Sequence, residues 1–252
     1  MINFENLKDD AFECGFEQDT AIITLKQKAF SVNFETSYLH SFLDCLNEIE
    51  MDEKVKGVLI IDPPAYHGVE NIQSFIELLQ STKGSYQKEK GVTRYGNTSK
   101  RLTLTLNEFS KPIVAGIEGR APIDSFGYFM ACDNVIATKD LSVEFPGVKL
   151  GVTPIGAVSF FLNREIGPRK TLDMFLSGDA IDSQTALNLG MVSQIVEKDQ
   201  LKQTCLNKLQ TYYSHPDQAV IMTKQLIKAR SYDLERFFER SIRLMWNAVL
   251  NH

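Results

Sequence analysis

The chain is poor in the residues that build metal and disulfide chemistry. Its 252 residues include only four histidines and four cysteines. His40, His67, His215 and His252 stand at no helical or strand spacing from one another, which argues against a histidine metal site. Cys14, Cys45, Cys132 and Cys205 are far apart and lack metal-ligand spacing. With no export signal ahead of them they read as reduced thiols of a cytoplasmic protein, Cys132 as core packing. The opening MINFENLKDDAFECGF has no basic start followed by an apolar run, so it does not read as a signal peptide. No stretch approaches the ~18 apolar residues that a membrane span needs. There is no GxSxG, no Walker loop and no GxGxxG. A basic face is absent as well: 27 Lys and Arg stand against 32 Asp and Glu, a net charge of −5, which excludes the electrostatic footprint of a nucleic-acid binder.

What remains is an ordinary globular composition, 43% hydrophobic and 23% charged. The length suits one large α/β domain or two small ones. Ala21–Leu25, Gly57–Ile61 (GVLII), Ile113–Ile117 (IVAGI), Asn134–Thr138 and Val192–Val196 read as short strands. The continuous apolar runs among them are typical of strands buried on both faces. Between them, Leu39, Phe42, Leu43, Leu46 and Ile49, and then Ile72, Phe75, Ile76 and Leu79, fall at helical spacing. Residues 83–100 are polar, contain glycine and read as a long loop; 102–109 read as a short helix. Helices are expected over 125–131, 156–165, 169–177 and 183–189, then from Leu201 onward with a break near His215-Pro216. Short strands alternating with helices predict parallel βαβ layers. No repeat or linker divides the chain.

Three stretches carry a resemblance. Lys111-Pro112-Ile113-Val114-Ala115-Gly116-Ile117-Glu118-Gly119 runs on to Ala131-Cys132-Asp133 and Val135-Ile136-Ala137. Leu150-Gly151-Val152-Thr153-Pro154 follows, then Leu176-Ser177-Gly178-Asp179-Ala180-Ile181 with Ala186 and Gly190-Met191-Val192. In order and spacing these resemble the enoyl-CoA hydratase/isomerase (crotonase-like) family over about residues 20–245. The resemblance implies a spiral of ββα turns over residues 1–200 and a C-terminal helical trimerisation region over 201–252, in one structural unit. It also implies a homotrimer or hexamer, and two backbone N–H groups that grip a thioester oxygen as an enolate forms. On the matching positions these belong to Glu70 and Asp124. No separate cofactor is implied, since CoA or phosphopantetheine is part of the substrate.

Against the family pattern, Gly127 stands where the first catalytic glutamate is expected and Gly147, after Pro146, where the second is expected. Hydration of an alkene needs a base for water and an acid for the α-carbon, and glycine is neither. Three weaker candidates remain. Asp124, before Ser125-Phe126, is either an N-cap or an acid or base beside the thioester. Ionised at ~4 Å from the developing oxyanion it would cost about 4 kcal/mol at an effective dielectric near 20. Glu70 is a solvated or capping residue, or an acid–base group; His67 is polar surface, or the pocket rim. Gly68, Val69, Ser125, Phe126 and Pro146 are the matching substrate-binding candidates. Gln73 replaces a lysine that the family often has, and Phe30-Ser31-Val32-Asn33 replaces its N-A-L segment. Lys83, Lys88, Lys90 and Arg94 are either a solvated face or contacts for CoA phosphates. Three functions follow from the resemblance: an acyl-thioester enzyme of non-hydratase chemistry, such as isomerisation or decarboxylation; an inactive homologue used for binding or assembly; and an enzyme acting on an acyl-carrier protein.

Overall fold

The computed structural model describes residues 9–26, 29, 36–62, 69–82, 84–154, 156–228 and 231–250. It begins with a hairpin that the apolar pattern only half reveals. In β1 (Phe12–Glu17), Phe12 and Cys14 point inward and Glu13 and Gly15 outward, the period-2 alternation of a half-buried strand. It pairs antiparallel with β2 (Thr20–Leu25). After α1 (Thr36–Met51), β3 (Gly57–Asp62) joins β2 in parallel. Two helices follow, α2 (Val69–Ser81) and α3 (Ser85–Glu108).

The long helix α3 corrects the loop expected over 83–100. Gly91 and Gly96 read there as loop glycines, but both sit where a neighbouring helix approaches closely. A Cβ on Gly91 would lie 2.6 Å from Leu79 Cδ2, and one on Gly96 2.2 Å from Ile242 Cγ1. The inward face mixes Val92, Tyr95, Leu102 and Leu106 with Thr98, Ser99, Thr103 and Asn107, all buried, so burial here leaves only a weak hydropathy signal.

From β4 (Ile113–Ile117) the chain winds as a spiral. It steps into a second sheet for β5 (Arg120–Pro122), forms α4 (Ile123–Met130), returns for β6 (Asn134–Thr138) and steps out again for β7 (Ser142–Glu144). A single 3-10 turn at Val148–Leu150 leads to α5 (Val158–Glu165) and α6 (Pro168–Ser177). Then β8 (Ile181–Asp182), α7 (Ser183–Asn188) and β9 (Gln194–Val196) complete both sheets. Their orders are β1-β2-β3-β4-β6-β9 and β5-β7-β8, with every pairing from β2 to β9 in the larger sheet parallel. This mixed α/β spiral with a C-terminal helical region is the crotonase-like fold that the motifs imply.

Three helices end the chain: α8 (Leu201–Tyr213), α9 (Asp217–Ile227) and α10 (Ser231–Leu250). α8 lays Leu201, Cys205 and Leu209 on Ile22, Leu59, Val114 and Ile136, covering one sheet face, while α1 and α3 bury Leu46, Ile49, Leu102 and Leu106 against the other. The larger of these apolar side chains contribute about 1.5–3 kcal/mol each on burial. α10 sets Leu234 and Phe238 against Ala157 and Phe160, and Met245 and Val249 against α2 and α3. α9 is held by charge instead. Asp133 Oδ2 accepts the Ile113 N–H at 2.7 Å and Lys224 Nζ at 2.6 Å, and its Oδ1 faces Lys228 Nζ at 2.7 Å. Lys224 also donates to the Lys111 carbonyl and Lys228 to that of Ala131, while Lys111 Nζ caps the carbonyls of Ile49 and Asp52. Burial pulls the Lys224 ammonium below the usual lysine range, against the pull of Asp133. Among the described residues no helix is long and apolar enough to cross a membrane.

Candidate functional site

β3 and β4 run side by side in parallel, and beyond their carboxyl ends the chain places the starts of α2 and α4. Ligands of parallel sheets bind in this position, outside the carboxyl ends of the strands. Of the candidates on α2, Val69 and Glu70 open the helix and their side chains lie outside the described residues, as do His67 and Gly68 altogether. The site can therefore be built from α4.

Helix α4 begins two residues earlier than the capping expectation required. Pro122 is the N-cap, no side chain caps the end, and Asp124 sits inside the first turn. Asp124 is therefore not the cap. Its carboxylate stands near the positive end of the helix dipole, which favours a negative charge there. It is only 5% exposed, and Ser125 beside it is buried with an Oγ that has no hydrogen-bond partner among the described residues. Phe126 is fully buried in the main core and meets Phe129 edge-on at 6.1 Å, so the structure places it in the packing of α4.

Gly127 has no room for a side chain. A Cβ there would lie 2.8 Å from the backbone nitrogen of Ala157 and 2.9 Å from that of Val158, distances that real Cβ atoms do not show. The reciprocal contact is Gly156. Its φ of +94° is open to few residues but glycine, and its own Cβ would lie 2.7 Å from the Asp124 carbonyl oxygen. The two glycines let the start of α5 press backbone to backbone on α4. No aromatic ring fills this point. Main chain takes the place instead, while Phe145 turns edge-on to Phe175 at 5.3 Å.

Gly147 is less confined, with the Val152 carbonyl oxygen 3.3 Å from where its Cβ would stand. Pro146 lines a cavity of about 260 Å³ with Phe145, Lys149 and Leu150. Next to it a groove of about 600 Å³ runs over Val152, Thr153, Phe160, Thr171, Phe175 and Phe237.

The residues that the motifs did not point to come from α3. Tyr95 is 4% exposed, with its ring 5.0 Å from that of Phe75. Burial first, then the charges that Tyr128 and Asp124 carry when ionised, hold its phenol well above the ordinary tyrosine range. Ser99 Oγ and Tyr128 OH lie 2.9 Å apart, both buried. The signal for these residues was present as polar side chains at helical spacing, but it was masked by the two glycines of α3.

Known proteins can be set beside this geometry. Residues 15–247 match the family described as enoyl-CoA hydratase/isomerase. A probable enoyl-CoA hydratase of Bacillus subtilis is 28% identical over 73% of this chain and 68% of its own length. Another, of Rhizobium meliloti, is 32% identical over 49% of this chain and 48% of its own. Among solved structures, an enoyl-CoA hydratase from Bacillus halodurans superposes with a TM-score of 0.82 at 20% identity, over 95% of each chain.

Proposed function

This chain belongs to the enoyl-CoA hydratase/isomerase family, and on that premise we propose that it binds an acyl thioester and carries out a non-hydratase step, such as isomerisation or decarboxylation, through an enolate. The observation that carries the reading is the interlock of α4 and α5. Main chain stands where a side chain at position 127 would have to be, so the protein offers no carboxylate there to activate water. Asp124 is the acid–base group in this reading, buried in the first turn of α4. The acyl group is carried on CoA or on the phosphopantetheine of a carrier protein.

Incubation with crotonyl-CoA is expected to give no useful hydration, and calorimetry with butyryl-CoA is expected to show binding. A hydration turnover above about 1 per second, ordinary for an enzyme, would overturn the reading.

The second reading is a homologue without activity that serves as an assembly scaffold. It draws on the apolar side chains left exposed on α9 and α6: Met222, Leu226, Ile227, Leu172 and Leu176. Exposed apolar side chains that recur along one helix fit a contact surface, and they support self-association, as a homotrimer or hexamer, under either reading. Light scattering that gives the 28.5 kDa monomer at micromolar concentration would refute it. Absence of butyryl-CoA binding would leave the scaffold.

A further inference from the structure

α9 docks without a core of its own. A surface helix is usually held by a stripe of apolar side chains turned to the body of the protein, yet none of the side chains of α9 is fully buried. Beneath the face that carries Ala219, Val220 and Lys224 lies a cavity of about 320 Å³ instead. Its other walls are Pro112, just ahead of β4, Asp133, just ahead of β6, and the ring of Tyr212 near the end of α8. The cavity therefore opens at the amino ends of the parallel strands, away from Asp124 and Gly127, and its volume lies at the small end of the ~300–1,000 Å³ range of ligand pockets.

The charge at this place is out of balance. Both oxygens of Asp133 are engaged, by the Ile113 N–H and Lys224 on one and by Lys228 on the other. The side chains of Lys224 and Lys228 are 11% and 19% exposed, and that of Asp133 13%. Two largely buried cations thus share one anion. The hydrogen bonds of Asp133 close within the chain; the charge of the cluster does not. Lys224 Nζ donates to Asp133 and to the Lys111 carbonyl, two of the three bonds that an ammonium can make, and it lines the cavity. Buried charges are as a rule paired. The remaining titratable group in the lining is His215, at the joint between α8 and α9, and no other charged side chain lines the cavity among the described residues.

These features select a class of ligand. A cation would meet a surplus of its own sign, with no acceptor left on Asp133. A phosphate brings about 1.5–2 charges and three acceptor oxygens to a mostly apolar cavity with one surplus positive charge. We propose that the cavity binds a compact apolar monocarboxylate, its carboxylate on Lys224 and its body between Pro112, Tyr212 and Val220, and that the bound acid supplies the apolar contact that α9 lacks. The site is separate from the thioester site and does not depend on the acyl-thioester reading.

The test is calorimetry on the full chain with benzoate as the probe. Benzamide, benzylamine and acetate serve as probes without the charge, with the opposite charge and without the body. Benzoate is expected to bind saturably with a Kd below about 1 mM and to raise the melting temperature as it fills the site. The other three are expected to bind at least about tenfold more weakly. Ala219→Phe roofs the cavity from an exposed position; it is expected to weaken benzoate at least about tenfold while leaving butyryl-CoA binding as it was. Lys228→Gln removes the surplus charge, keeps the cavity and is expected to weaken benzoate severalfold, which decides the matter should Ala219→Phe fail to fold. Benzamide or acetate binding within twofold of benzoate overturns the proposal, as does benzoate binding within twofold of wild type in either variant. No saturable binding of benzoate up to about 10 mM overturns it as well. Displacement of benzoate by butyryl-CoA would show one site where two are proposed, and would also overturn it.

Discussion

The two ends of the larger sheet handle buried polar groups in opposite ways. At the amino ends of β4 and β6, Asp133 meets two lysines and a backbone N–H, and both lysines find carbonyl oxygens as well. Beyond the carboxyl ends, Ser125 keeps a buried hydroxyl without a partner among the described residues, and two glycines let backbone press on backbone. The first arrangement is complete within the chain, and it fastens α9. The second is not, and it is the one that coincides with the position where parallel sheets take ligands. At these two places, then, the group that anchors a helix is satisfied within the chain and the one beside the ligand position is not.

That contrast can be broken by substitution, starting where the effect is largest. Asp133→Ala leaves two largely buried ammonium groups uncompensated and is expected to cost about 3 kcal/mol. For a chain of this size that lowers the calorimetric melting temperature by roughly 6–12 °C. A shift under about 2 °C would mean that the network is ornamental. Gly127→Ala forces a methyl group into the Ala157 and Val158 main chain and is expected to cost about 1–3 kcal/mol by denaturant unfolding. Gly127→Glu is expected to be worse and still not to hydrate crotonyl-CoA; a stable, active Gly127→Glu variant would show that α5 yields easily.

A smaller effect belongs to the anchored end. Tyr213 donates to or accepts from Thr20 Oγ1 at 3.1 Å, and burial pushes its phenol up from 10.0 to about 12. Below pH 10 both folded and unfolded states hold the proton and the stability is fully present. Between pH 10 and about 12 the unfolded phenol ionises while the folded one stays neutral, so stability falls as pH rises. Tyr213→Phe is expected to lose about 1 kcal/mol at pH 7 and to flatten that alkaline decline, read from unfolding curves across the pH range. The smallest effect is Ser125→Ala. Removing a hydroxyl that has no partner is expected to change stability by less than about 0.5 kcal/mol while weakening butyryl-CoA binding severalfold in calorimetry. A loss of stability near 2 kcal/mol would return Ser125 to the anchored class.

The parallel strands of the larger sheet were the legible part of the chain, while β1 and the short strands of the second sheet were not. Gly57–Ile60 and Ile113–Ile117 are buried on both faces, so burial and hydropathy coincide there. α3 was illegible for the opposite reason, since its buried face carries Thr98, Ser99, Thr103 and Asn107 and its two glycines serve helix packing. In the site, Asp124 and Gly127 could be singled out from the motifs, and Asp124 does lie buried at the start of α4. That α5 closes over Gly127 depends on an approach between residues 30 apart in the chain, which no local pattern encodes. His67 and Gly68 fall outside the described residues.

The mutual fit of Gly127 and Gly156 also bears on how this protein can change. A residue that merely tolerates glycine can drift to alanine and back by single steps. Here each of the two positions is barred to a Cβ by the other element's backbone, so a side chain at 127 becomes acceptable only after residues 156–158 have moved, and their movement gains nothing while 127 remains glycine. The pair behaves as a ratchet. Whatever activity the site has, the route from it to a glutamate at position 127 runs through an intermediate that is worse at folding than either end, and directed evolution toward hydration would have to loosen the start of α5 first.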